Sequence, residues 1–206
     1  MKKIVNALVG GTLAVTATLA ASIPLLEAGD AGDLPATAQI VTSFDTLTSI
    51  SGSITSPLDV DMYRLALPRA VLLSLSVAPT STIDSQLFFF SSIGSGLVAN
   101  DDMGLSLDAE LTADLSPGVY YLGVTSWDRR PTNAANLPLF GDASGAPLMP
   151  INSGPVTGWT GSGAIGSYII NVSEIPEPET YALMCAGISV IGAVARRRRL
   201  ARAKAS

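Results

Sequence analysis

The 206-residue chain contains no histidine and a single cysteine, and charged residues make up only 14% of it, against about 25% in an average soluble protein. Each scarcity excludes a chemistry. Without histidine there is no Ser-His-Asp triad, no Cys-His pair and no imidazole ligand for a metal. The lone thiol, Cys185, sits inside an apolar run near the C-terminus, so the rest of the chain has no disulfide and must be held by its core. Paired-carboxylate chemistry survives, because 17 acidic residues are present. Outward-facing acids on neighbouring strands produce such pairs by chance, however, and no pair stands out. The chain reads as a non-enzyme.

Basic residues are scarce where they matter most. Lys2, Lys3, Arg196, Arg197, Arg198, Arg199, Arg202 and Lys204 all lie at the two ends. Between Ala21 and Glu179 stand only Arg64, Arg69, Arg129 and Arg130, against all 17 acidic residues, so that part carries −13 although the whole chain carries −5. Such a surface repels phosphate backbones, and nucleic acid is excluded as a partner.

The end charges belong to sorting signals. Lys2-Lys3 precedes "IVNALVGGTLAVTATLA", an apolar stretch that closes on the small residues Ala20, Ala21 and Ser22. A basic start, an apolar middle and a small-residue cleavage site define a signal peptide over residues 1–21, expected as a helix and handed to the Sec machinery. At the other end, "IPEPETYALMCAG" opens residues 175–206. Tyr181 to Ala195 is free of charge, and as a helix its 15 residues span about 23 Å, short of the roughly 20 residues of a comfortable span. Thr180 before it and snorkelling arginines after it extend the reach, which makes 180–195 the expected transmembrane helix, with Arg196, Arg197, Arg198 and Arg199 on the cytoplasmic side. Prolines 176 and 178 are expected to hold the outer edge extended and non-helical.

This tail, Pro176-Glu177-Pro178, then a short apolar stretch, then an arginine cluster, resembles a PEP-CTERM sorting signal. The resemblance implies recognition and processing near the motif by an exosortase, in a Gram-negative bacterium that makes exopolysaccharide. It implies an inner-membrane precursor destined for the cell surface or the extracellular matrix. Leu34-Pro35-Ala36-Thr37-Ala38 is similar to a sortase pentapeptide, but it ends in Ala and lies at the wrong terminus.

From about Ile40 to Glu174, within an expected domain of residues 29–174, the chain has the period-two pattern of antiparallel strands. In "SLDAELTADL", Leu107, Ala109, Leu111, Ala113 and Leu115 alternate with polar residues. "VLLSLSVA" turns Leu73, Leu75 and Val77 inward, and "DMYRLAL" does the same with Tyr63, Leu65 and Leu67. The consecutive Phe88, Phe89 and Phe90 predict a central strand covered on both faces. "TSISGSIT", "GVYYLGVTSW" and "GSYIINVS" supply further strands, divided by turn signals such as Ser116-Pro117-Gly118. The expected fold is all-β: an antiparallel, jelly-roll-like β-sandwich flanked by the two terminal helices.

The order "AGDLPATAQ", "SISGSI", "DVDMYRLAL", "LVANDDMG", "LSPGVYYLGV" and "GSYIINV" resembles the bacterial pre-peptidase C-terminal domain over about residues 29–172. One departure is an insert at 128–163, rich in Gly, Pro, Asn and Ser, between strands that lie close together in that family. The family resemblance implies Ca²⁺ in some members, and the matching acidic positions are Asp59, Asp61, Asn100, Asp101 and Asp102. They read either as Ca²⁺ ligands or as acids capping strand ends. Trp127 and Trp159, near the ends of the insert, read either as a platform for a sugar ring or as caps on the core. Arg129 and Arg130 read as a solvated turn. The function that follows is an exported structural or adhesive protein at the cell surface or within exopolysaccharide. The alternative is a Ca²⁺-stabilised module binding glycan or peptide.

Overall fold

The computed structural model describes residues 22–102, 104, 106–141, 147–175 and 178–203. The expected signal peptide, Pro176 and Glu177 lie outside the described residues. Twelve strands precede one long helix: β1 (Ile23–Leu26), β2 (Gln39–Ile40), β3 (Leu47–Ile54), β4 (Asp61–Leu67), β5 (Val71–Val77), β6 (Ser85–Phe90), β7 (Gly96–Asn100), β8 (Glu110–Leu115), β9 (Gly118–Ser126), β10 (Arg130–Thr132), β11 (Gly158–Thr160), β12 (Gly166–Glu174) and α1 (Pro178–Ala203).

The strands form two five-stranded sheets, ordered β1-β3-β12-β5-β8 and β2-β4-β9-β6-β7, with β10 and β11 as a separate ribbon. Every period-two segment expected from the sequence contains a strand. Alternation explains the core. Leu73, Leu75 and Val77 of β5, Leu111 and Leu115 of β8, and Tyr168, Ile170 and Val172 of β12 turn to one side of the first sheet. They meet Tyr63, Leu65 and Leu67 of β4, Leu87 and Phe89 of β6, and Leu122 and Val124 of β9. Each such side chain taken fully out of water contributes about 1.5–3 kcal/mol. The result is a sandwich, but not a purely antiparallel one. Strand β1 pairs parallel to β3 and β2 pairs parallel to β4, which makes both sheets mixed. Strand β1 also brings the first sheet into residues ahead of the expected domain start at 29. Leu107, expected inward, is exposed because β8 begins only at Glu110.

Strand β6 is buried along its whole length, as its three phenylalanines predicted. Phe89 faces the inter-sheet core, whereas Phe88 and Phe90 face outward and are covered by the insert. Phe140 lies 5.7 Å from Phe88 between ring centroids, and Trp159 meets Phe88 edge-on at 5.5 Å. Gly123 on β9 makes room for this layer, since a Cβ there would stand 3.3 Å from both Phe90 and Trp159. The described part of the insert is therefore a third layer, packed by aromatic rings over the second sheet.

Helix α1 contains the expected membrane segment and runs on through the arginines. It starts at Pro178, because proline is tolerated in the first turn, where its missing N–H has no helical partner. The expectation that Pro178 forbids helix is thereby corrected. No helix among the described residues is long and apolar enough to cross a membrane. The uncharged run is short, and four arginines end it.

Candidate cation site at the acidic pole

Register divides the sandwich into two poles. At one, β4 ends and β5 begins, β8 ends and β9 begins, and β12 runs out into the tail. At the other, β4, β6 and β12 begin while β7 and β9 end. Asp61, Val124, Leu87 and Asn100 lie in one row across four strands at this second pole. Most acids of the sandwich collect there.

The centre of the acidic pole is built from three segments. The chain leaving β1 bends over the start of β4, carrying Glu27, Asp30 and Asp33. Glu27 Oε2 accepts from the Ser53 amide at 2.8 Å, and Asp30 Oδ1 accepts from the Gly32 amide at 2.7 Å. Gly32 has φ +72, which favours glycine in this turn. The loop into β4 adds Asp59, whose carboxylate accepts from the Thr55 hydroxyl at 2.8 Å, and strand β4 adds Asp61. One carboxylate oxygen each from Glu27, Asp30 and Asp61 lies within 4.8 Å of the others, and the same holds for Asp30, Asp33 and Asp59. Asp30 belongs to both groups.

Asp61 is the unusual member. It points between the sheets and is fully buried. Its Oδ2 accepts from the Tyr168 hydroxyl at 2.6 Å, and that hydroxyl lies 2.6 Å from the hydroxyl of Tyr63. Its Oδ1 is buried with no hydrogen-bond partner. Burial pushes the Asp61 carboxyl up to about 8; the Tyr168 hydroxyl opposes, while the charge of Glu27, a side-chain hydrogen bond between the Asp61 and Glu27 carboxyls, and the charge of Asp59 act in the same direction as burial. Burial also raises Asp33, aided by Asp30 and Asp59 and opposed by Arg129. Tyr63 and Tyr168 are held firmly protonated by burial. This is a crowd of hard oxygen donors that repel one another, with the buried carboxyl of Asp61 at its base. A Ca²⁺ ion takes six to eight such oxygens at about 2.3–2.6 Å, so the residues fit that ion in type and charge.

Arg129 borders the cluster and is not a solvated turn residue. It is buried, and it donates to the carbonyls of Gly161 at 2.8 Å and Leu58 at 2.6 Å. Burial lowers its pKa, against the pull of Asp33 and Asp59. It ties the insert to the loop ahead of β4.

The five expected Ca²⁺ ligands fall in two places. Asp59 and Asp61 belong to the centre just described. Asn100, Asp101 and Asp102 stand three strands along the sheet, about 14 Å away at roughly 4.8 Å per strand. Asn100 Nδ2 donates to the Glu110 carbonyl at 2.5 Å, leaving its Oδ1 buried without a partner, and Asp101 Oδ1 is likewise orphaned. Burial raises the Asp101 carboxyl, with Asp102 adding to the effect. Asn100 and Asp101 line a cavity of about 10 Å³ together with Gln86, Phe88, Trp127 and Arg130, room for about one water. Trp127 is 41% exposed, and the Arg130 guanidinium lies 5.3 Å from its ring centre. Asp128 accepts from Arg130 at 2.6 Å. Trp159 is elsewhere: its ring packs on Phe88 and Phe90, and its Nε1 donates to the Asp33 carbonyl at 2.8 Å. The expected two-tryptophan platform is therefore divided, with Trp159 a cap and Trp127 at the cavity rim.

Sequence reading missed Glu27, Asp30 and Asp33 as ligand candidates. The spacing in "EAGDAGD" was the available signal, but nothing local says that this loop crosses the start of β4. Tyr63 reads locally as an ordinary core residue, and its long-range pairing with Tyr168 has no local trace.

At the opposite pole, β12 stays in the ladder up to Glu174, which is opposite Leu73, and the Ile175 amide donates to the Leu72 carbonyl at 2.8 Å. Arg69 donates from both terminal nitrogens to Glu174, at 2.7 and 2.8 Å.

The chain is similar in structure to the pre-peptidase C-terminal domain of a collagenase from Bacillus anthracis, at 13% identity and a TM-score of 0.39, covering 76% of this chain and all of that one. It is also similar to PliG of Aeromonas hydrophila, a periplasmic inhibitor of g-type lysozyme, at 12% identity and a TM-score of 0.35, covering 74% of this chain and all of that one. No curated protein matches the chain. Residues 174–199 match the PEP-CTERM protein-sorting motif, and with that match the end of β12 and most of α1 are identified as a sorting signal.

Proposed function

We propose that the protein is an exported, non-catalytic structural or adhesive component of the cell surface or exopolysaccharide. It is delivered by Sec, held briefly by residues 180–195 and processed at Pro176-Glu177-Pro178. The carrying observation is the motif match over residues 174–199, which implies exosortase-dependent sorting and a membrane-anchored precursor in a Gram-negative bacterium. The position of the motif supports the reading, because the last strand of the sandwich leads into it directly. The short apolar run serves as the anchor, with Arg196 to Arg199 snorkelling on the cytoplasmic side. Replacing Pro176, Glu177 and Pro178 by alanine is expected to abolish processing in a host that carries an exosortase. Equal processing of the triple variant overturns the role given to the motif.

A second element of the function is favoured by the orphaned Asp61 Oδ1 beneath Glu27 and Asp30. Ca²⁺ held by Glu27, Asp30 and Asp61, with Asp33 and Asp59 beside them, neutralises the repulsion and clamps the chain leaving β1 onto β4. In this reading the ion stabilises an adhesive or glycan-binding module outside the cell. Isothermal titration of the metal-free protein with Ca²⁺ tests it: binding that Asp61→Ala abolishes is expected, and no binding at millimolar Ca²⁺ overturns it.

A further inference from the structure

We propose that the Arg69–Glu174 ion pair is a latch that limits how fast the tail is processed; the inference rests on reading the tail as an exosortase substrate. Strand β12 remains hydrogen-bonded to its very end. Ser173 lies opposite Ser74, Glu174 opposite Leu73, and the Ile175 amide donates to the Leu72 carbonyl. Arg69, in the turn between β4 and β5, grips the last strand residue with a two-pronged contact, Nη1 to Oε2 at 2.8 Å and Nη2 to Oε1 at 2.7 Å. Its Nη2 also reaches Asp45 Oδ1 at 3.4 Å, so the turn before β3 is tied to the same point.

The consequence is a shortage of slack. Helix α1 begins at Pro178, so only residues 176 and 177 separate it from the bonded Ile175. The three Cα-to-Cα steps from Ile175 to Pro178 reach at most about 11 Å when fully extended. An enzyme acting on a peptide bond needs more chain than this, laid out with its main-chain groups free to pair with the enzyme. If α1 sits in the membrane, the extra chain must come from the folded side, by unpairing Ile175 and Glu174 from β5. Such fraying of a strand end is a low-energy local opening, and Arg69 opposes it directly. Arg69 is half exposed, so its removal leaves no hole in the core. An exposed pair of this kind changes the frayed population by about two- to fivefold.

The test follows loss of the tail over time in the full chain, by pulse-chase and intact mass, in a host with an exosortase. Arg69→Ala is expected to be processed about two- to fivefold faster than the parent chain. Glu174→Gln, which removes the charge from the other partner, is expected to match it. Inserting a six-residue Gly-Ser linker between Ile175 and Pro176 supplies the missing slack. With it, the parent chain and Arg69→Ala should both be fast and equal. Processing of both charge variants at the parental rate without the linker overturns the latch. So does an Arg69→Ala advantage that persists with the linker, because the residue then acts elsewhere. A parent chain that the exosortase does not process at all overturns the underlying reading, and the latch falls with it. Thermal melting that falls by no more than the loss of one exposed pair separates the latch from global destabilisation.

Discussion

The two poles of the sandwich solve opposite problems. At the acidic pole the fold tolerates electrostatic conflict: carboxylates of Glu27, Asp30, Asp33, Asp59 and Asp61 converge, and one of them is buried between the sheets with a bare oxygen. At the tail pole charge is matched, with Arg69 set against Glu174 and Asp45 at the surface. Burial holds the Asp61 carboxyl protonated through neutral pH, and a strongly shifted acid of this kind marks a candidate site. Exposed, matched charge contributes little and is easily rearranged. The contrast marks the acidic pole as the candidate cation site and the tail pole as the end from which the sorting signal leaves the sandwich.

The largest expected effect concerns the layer that supports the acidic pole. Trp159→Ala removes a ring packed on Phe88 and Phe90 and the bond to the Asp33 carbonyl, and is expected to destabilise by about 3 kcal/mol. Trp127→Ala, at an exposed rim, should cost under about 1 kcal/mol. Denaturant melts compare the two, and equal costs break the division drawn between cap and rim. Next comes the ion. Ca²⁺ at about 100 times its Kd should stabilise the protein by about 2.7 kcal/mol. Asp61→Ala removes that gain, whereas Asp114→Asn at the tail pole leaves it intact.

In chelator, the pH dependence sharpens the same contrast. The folded Asp61 carboxyl titrates near 8, above its unfolded value near 3.9, so the folded state holds the extra proton between those values. Its contribution is full below about pH 4 and is lost as pH rises through 8, at about 1.4 kcal/mol per pH unit. Asp61→Asn, which cannot ionise, is expected to flatten that slope in melts between pH 5 and 8. An unchanged slope removes Asp61 as its source. The smallest effect belongs to the tail pole: Arg69→Ala should cost under about 1 kcal/mol in stability, because both partners are substantially exposed.

Much of the sandwich was legible because alternation is local. Residues 71–77 and 61–67 announce their inward faces with no knowledge of their partners, and Phe88, Phe89 and Phe90 announce two covered faces. The parallel pairing of β1 and β2 was not legible, since four- and two-residue strands carry no period of their own. The insert looked like a loop because its glycines and prolines mask its packing. What orders it is contact with the outer face of β6, a tertiary fact. The candidate site was half legible: Asp59 and Asp61 stand in a turn-to-strand pattern, whereas Glu27, Asp30, Asp33 and Tyr168 join them only through the fold. The sorting signal was the most legible part, because it is read along the chain by other proteins.

The most direct measurement is the intact mass and membrane fractionation of the mature protein, made in otherwise identical hosts with and without an exosortase. The account predicts a mass ending near Pro178, and loss of the protein from the inner membrane, only where the exosortase is present. A full-length tail retained in the inner membrane of both hosts contradicts it.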